Sequence, residues 1–242
     1  MQERLLIVKN ITHEGPGLLE GLLLDRRIDA DIADLSRGDP FPDPDSYRAL
    51  VVLGGPQSVN DPTPEMQGEL KQIEKALKKE IPYLGICLGM QALVHAAGGR
   101  VVPCPEKETG FFDPTGDPYR MELSEEGQSD PLFKGLGDRF RVFQLHGETV
   151  VPATGTVLLG TGHRCHHQAV KAGKHAYGLQ CHFEMTRDTL DRWTEIDPDL
   201  KAMGRERLLG EFDELQEEYR TTGLRLLGNF LDIAGFKAEG TA

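Results

Sequence analysis

Apolar and polar positions alternate in two rhythms along the first hundred residues. RLLIVKN at 4–10 is a short apolar run suited to a buried strand, and GPGLLEGLLLDRR at 15–27 carries an apolar stripe at helical spacing. IDADIADL at 28–35, ALVVLGG at 49–55 and IPYLGIC at 81–87 read as further strands. PEMQGELKQIEKALKKE at 64–80 reads as an amphipathic helix between the last two. Strands alternating with helices predict an open, mostly parallel central sheet with helices on both faces and right-handed crossovers, an α/β fold. In such sheets ligands bind beyond the carboxyl ends of the strands.

From about residue 100 the pattern shortens. RVVPC, YRMELS, FRVFQLH, TVLLGTG, HQAVKAG and HAYGLQCHF predict a mixed or antiparallel strand extension of the same sheet. ERLLGEFDELQEEYRTTGLRLLGNFLDIAG, within a C-terminal helical segment of about 187–236, predicts one or two helices covering a sheet face. The charged stretch EFDELQEEYR inside it reads as a solvated helix face. GDPFPDPDSY at 38–47 is a surface loop between strands, and no repeat or low-complexity tract interrupts the chain. At 242 residues with 38% apolar content, one domain over 1–242 is the simplest division.

Charge narrows the partners. A net charge of −12 with no basic, aromatic-interleaved patch argues against nucleic acid and anionic membranes. No apolar stretch is long enough to span a bilayer and MQERLLIVKN lacks signal-peptide character, so a cytoplasmic location is expected. Cys87, Cys104, Cys165 and Cys181 form no CxxC pair, and in a reducing compartment they are expected to be thiols.

Two short stretches carry chemistry. In YGLQCHFEM at 177–185, read as a strand, His182 and Glu184 share one face and Cys181 points to the other. A carboxylate so placed can hold an imidazole from behind, and the nucleophile must then come from elsewhere. In YLGICLGMQ an apolar strand runs into Gly85-Ile86-Cys87-Leu88-Gly89 and a helix pattern follows, the GxCxG form of a nucleophile elbow. There the flanking glycines are expected to permit the sharp turn, and the helix N-terminus favours the thiolate. The bland alternative is a buried cysteine in an ordinary glycine-flanked strand-to-helix turn.

GICLGMQ, the HGE at 146–148, GLQCHFE and VVLGGPQSVND at 51–61 together resemble the class I glutamine amidotransferase domain, flavodoxin-like in fold, over about residues 45–186. The stretches DPLFKGLGDRFRVFQLHGETVVP and QAV…YGLQCHFE are most similar to its free-standing, GMP-synthase-like group, with weaker support from HEGPGLLEGLL. The resemblance implies a Cys-His-Glu triad of Cys87 as nucleophile, His182 as base and acid, and Glu184 as its orienter. It implies an oxyanion hole from the backbone amides of Gly55 and Leu88. It also implies substrate contacts from Gln91 and from the backbone around Leu145, His146 and Gly147. The expected reaction releases ammonia from glutamine through a γ-glutamyl thioester, with no metal and no cofactor. Phe183 stands where the family most often has proline, and Cys181, where an aromatic is common, is read as a small buried apolar residue.

Other candidates are weaker. RCHHQ at 164–168 invites a metal reading through Cys165, His166 and His167, but adjacent strand residues diverge and no spaced second pair follows. His146 could contact ligand or serve a structural hydrogen bond. His13 and Glu14 follow the first strand at the edge where ligands should bind. Neither an ATP-binding synthetase region nor a GxxxxGK[ST] phosphate loop is visible, leaving two alternatives open: an ammonia-donating subunit for a synthetase partner, or a stand-alone hydrolase of γ-glutamyl peptides or amines.

Overall fold

A computed structural model of the chain describes residues 3–236, so the outermost positions of the 1–242 domain reading lie outside the described residues. Nine strands form one sheet in the order β2-β1-β3-β4-β11-β10-β9-β6-β7. Its parallel half comprises β1 (Arg4–Lys9), β2 (Asp29–Asp34), β3 (Ala49–Val52), β4 (Tyr83–Ile86) and β11 (Ala176–Leu179). The other half, β10 (Ala169–Ala172), β9 (Val157–Thr161), β6 (Arg120–Leu123) and β7 (Arg139–Arg141), is antiparallel.

Strand alternation divides the core in two. Leu5 and Ile7 of β1 face a cluster with Leu19 and Leu23 of α1 (Leu18–Arg26) and Leu226, Leu227 and Phe230 of α7 (Arg205–Ile233). Leu6 and Val8 face the opposite cluster, with Met66, Leu70 and Ile73 of α2 (Pro64–Lys78) and Met90 and Leu93 of α3 (Leu88–Ala96). Helices therefore cover both faces of the sheet, as the alternating pattern predicts. Thr63 caps α2 by accepting a hydrogen bond from the Met66 amide, with Pro64 in the first turn.

Three expectations need correction. RVVPC and QLH do not extend the main sheet: β5 (Arg100–Gly110) and β8 (Gln144–Val151) pair with each other in a separate two-stranded sheet. FRVFQLH is thus split between β7 and β8, because Val142 and Phe143 turn inward as fully buried side chains between them. The strand HAYGLQCHF ends at Leu179, so His182 and Glu184 lie beyond β11, and His182 joins Phe143 in an isolated bridge. After the short α4 (Glu125–Ser129), the last helical segment consists of α5 (Arg187–Ile196), α6 (Pro198–Met203) and the 29-residue α7, which with Phe111, Phe143 and Met185 of the loop that follows β11 make a third cluster.

Candidate active site

The carboxyl ends of four neighbouring parallel strands, β1, β3, β4 and β11, lead into the segments holding Glu14, Gly55, Cys87 and His182. That is the edge where an open α/β sheet binds ligands.

Cys87 sits between β4 and α3 with φ 53° and ψ −107°, and it is one of three described non-glycine residues with positive φ. The glycines around it do a different job from the one expected of them, since neither Gly85 nor Gly89 is among the glycines with positive φ. A β-carbon on Gly85 would lie 2.3 Å from the Gly89 carbonyl, and one on Gly89 would lie 2.1 Å from the carbonyl oxygen of Val52. Glycine is required here so that α3 can press against β4 and β3, while Cys87 itself carries the backbone strain. The Cys87 amide donates to Leu179 O at 2.8 Å and its carbonyl accepts from the Gln91 amide at 3.1 Å, which fixes the elbow at both ends. Its sulfur lies 3.7 Å from Leu145 O and 3.8 Å from Gln180 Nε2. Leu88 opens α3, so its amide belongs to the first turn, where helix N–H groups have no intrahelical acceptor.

His182 Nδ1 and Glu184 Oε1 are 2.7 Å apart, and both side chains are almost fully buried. Glu184 Oε2 accepts from the Phe183 amide at 2.9 Å, which locks the carboxylate rotamer. Burial opposes the imidazolium form, yet the charge of Glu184 and the hydrogen bonds to Cys87 and Glu184 raise the His182 pKa well above its usual value. The His182 ring packs edge-on against Trp193 with centroids 5.1 Å apart. Around this loop the backbone is held from three sides. Phe143 O accepts from the His182 amide at 2.9 Å, Tyr219 Oη donates to His182 O at 2.9 Å, and the Leu18 amide donates to Glu184 O at 2.6 Å. Gly17 and Gly223 permit that approach, since β-carbons on them would lie 1.9 Å from Glu184 O and 2.3 Å from Phe183 O. Cys181 is wholly buried, and burial pushes its thiol pKa well up.

Cys87 and His182 open into a cleft of about 540 Å³ that Gly55, Gln91, Leu145, His146 and Gly147 also line. Gln91 Nε2 donates to Glu148 O at 3.2 Å, and Ser58 Oγ donates to Glu148 Oε1 at 3.1 Å, tying the 145–148 segment to the loop after β3. Gly55 packs against Leu88, with a β-carbon there 3.4 Å from Leu88 Cδ2. Both residues singled out after the first strand reach the cleft. His13 is anchored by Trp193 Nε1, which donates to its carbonyl at 3.2 Å. Glu14 is buried, with Oε2 2.4 Å from where a β-carbon on Gly54 would stand and with no hydrogen-bond partner for that oxygen. Burial raises its carboxyl pKa to about 7, the charge of His182 lowering it and that of Glu184 adding to the rise.

Sequence reasoning missed Gln180, Trp193 and Glu108. Gln180 lies inside GLQCHFE, but its contact with Cys87 joins positions 93 residues apart, and Trp193 lies beyond the recognisable motifs. Glu108 lies in β5, where Oε2 meets His146 Nε2 at 2.9 Å with both side chains 1% exposed. Of RCHHQ, only Cys165 converges with other metal-binding side chains: among the described residues, Cys104, His146 and Cys165 form a donor group whose ligand atoms lie within 4.8 Å of one another. Also among the described residues, no helix is long and apolar enough to cross a membrane.

Residues 26–193 match the family model of the class I glutamine amidotransferases. The chain is 32% identical over 155 residues to the glutamine amidotransferase-like protein YfeJ of Salmonella typhimurium, an alignment covering 62% of each. It is 31% identical over 196 residues to a glutamine-hydrolysing GMP synthase of Porphyromonas gingivalis, covering 80% of this chain and 30% of that protein. The chain thus spans under two thirds of the first relative and under one third of the second. Among solved structures, a glutamine amidotransferase from Thermotoga maritima superposes with TM-score 0.84 at 28% identity, covering 96% of this chain and all of that one. A glutamine amidotransferase from Methylobacillus flagellatus does so with TM-score 0.83 at 25% identity, covering 100% and 98%.

Proposed function

The chain belongs to the class I glutamine amidotransferase family, and from that premise we propose that it hydrolyses the side-chain amide of glutamine, with Cys87 as nucleophile, His182 as general base and acid, and Glu184 as the carboxylate that orients it. The observation that carries this reading is the strained Cys87 elbow at the start of α3 beside a buried His182–Glu184 pair bonded at 2.7 Å.

In this mechanism His182 holds the Cys87 proton, and the thiolate attacks the γ-carbonyl carbon. The oxyanion is met by the backbone amides of Gly55 and Leu88. Collapse of the tetrahedral species breaks the C–N bond as His182 passes its proton to the departing nitrogen, leaving ammonia and a γ-glutamyl thioester. Water activated by His182 then hydrolyses the thioester, giving glutamate and restoring the thiol. Glu184 stabilises the imidazolium formed on the way. Gln91 and the backbone at Leu145, His146 and Gly147 form the wall against which the substrate lies. The same reading takes 1–242 as one domain acting without cofactor, with the ammonia passing either to water or to a synthetase partner.

Ammonia release from glutamine by the purified chain tests the proposal, with γ-glutamyl dipeptides assayed in parallel. Release from glutamine that Cys87→Ala abolishes supports it. Turnover of the dipeptides alone would move the substrate to γ-glutamyl peptides, and no turnover of either, alone or with cell extract added, would refute hydrolysis.

A further inference from the structure

The Cys104, His146 and Cys165 donors come from three separate segments. Cys104 lies where β5 leaves register with β8, in the bulge between the Pro103↔Glu148 and Glu108↔His146 pairs, and Cys165 lies in the loop between β9 and β10. We propose that these three side chains bind one thiophilic divalent cation, zinc being the metal whose preference for thiolate and imidazole they match.

The donor geometry supports this. Cys104 Sγ lies 3.5 Å from His146 Nδ1, within the spacing of donors that share a tetrahedral ion. The opposite ring nitrogen, His146 Nε2, lies 2.9 Å from Glu108 Oε2, while Nδ1 lies 3.0 Å from the Glu148 carbonyl oxygen as well as 3.5 Å from Cys104 Sγ, so ion binding requires the tautomer protonated at Nε2 and replaces the contact to Glu148 O. Glu108 also accepts from the Cys165 amide at 3.2 Å and from Gln168 Nε2 at 3.1 Å. One buried carboxylate therefore orients two of the three donors, the arrangement by which outer carboxylates fix a metal-ligating histidine. Thr149 Oγ1, 3.1 Å from Cys165 Sγ, holds the second sulfur in place. Cys104 is only partly buried, which gives the ion a way in and a water for the fourth position.

Charge and protons balance. As two sulfur–metal bonds form, two thiol protons leave to solvent, and the dication with two thiolates is neutral. In the complex His146 would bind through Nδ1 as a neutral imidazole, with the Nε2 hydrogen directed at Glu108 Oε2. The ion would pin β5 and the 162–168 loop to the strand carrying Leu145, His146 and Gly147. His146 lines the cleft, but the metal site rests on the side-chain donor set of Cys104, His146 and Cys165 and not on amide hydrolysis there.

The test is cobalt titration of the reduced, chelator-treated full chain. The expected result is one cobalt per chain with a thiolate-to-cobalt charge-transfer absorption that zinc abolishes, and zinc protection of two thiols from a disulfide reagent. Cys104→Ser and Cys165→Ser should each remove the absorption, and Glu108→Gln should weaken binding by about 10–100-fold while the absorption persists. No uptake, uptake without the absorption, or an absorption that survives in both cysteine variants overturns the proposal. If the variants do not fold, thiol protection in the unaltered chain decides, and a Cys104–Cys165 disulfide that forms while zinc is present also overturns it.

Discussion

Gly85 and Gly89 face each other across the Cys87 turn so closely that a β-carbon on Gly85 would stand 2.3 Å from the Gly89 carbonyl carbon and oxygen. The elbow's position thus depends on contact between a strand backbone and a helix backbone, and no side-chain rotation can relieve an added methyl. Gly85→Ala should destabilise the fold by about 1–3 kcal/mol, the range for overpacking a tight core. Urea unfolding checks this, and an unchanged midpoint would mean the backbone shifts freely.

Glu184 is predicted to act through His182 and not through the fold. Glu184→Gln keeps the shape but replaces the charge at Nδ1, so kcat/KM should fall by about 10²–10⁴-fold with a smaller change in KM. Steady-state kinetics and a thermal melt measure both sides. Wild-type kinetics in this variant would assign the orienting role to another carboxylate.

The segments of the proposed triad were legible in the sequence, but partly for the wrong reason. Cys87 follows from a local motif, and the elbow did form where strand and helix patterns meet. His182 and Glu184 were paired by strand alternation, yet β11 ends at Leu179 and the direct 2.7 Å hydrogen bond is what couples them. The parallel half of the sheet was readable because buried strands and amphipathic helices leave periodic signals. The β5–β8 sheet was not, because its pairing joins residues about forty positions apart and interrupts its own register between Pro103 and Glu108. Glu108 and Cys104 were invisible as partners of His146 for the same reason.

Glu14 gives a pH test. Its carboxyl pKa rises from 4.5 to about 7 on folding, so between those values the folded chain holds a proton that the unfolded chain has lost. Its contribution to stability is therefore full below about pH 4.5 and is lost as pH rises through 7. Glu69, also raised to about 7 by burial, titrates in the same window, so the comparison is between Glu14→Gln and wild type. The variant should gain on wild type as pH rises across the window, by up to about 3 kcal/mol above it. Denaturant midpoints at several pH values measure this, and parallel curves would contradict a buried, protonated Glu14.

Tyr219 links α7 to the histidine loop through its 2.9 Å bond to His182 O. Tyr219→Phe leaves that buried carbonyl without its donor and should cost about 1–3 kcal/mol. Turnover should fall as well if the bond positions the imidazole. Calorimetry and kinetics on the same preparation separate the two effects, and a neutral result in both would show that the loop holds itself.

The most direct measurement is covalent labelling with a glutamine-derived chloroketone, located by peptide mass spectrometry. A single adduct on Cys87 is expected, lost in Cys87→Ala and retained in Cys181→Ala. An adduct on Cys181, Cys104 or Cys165 that persists in Cys87→Ala would contradict it.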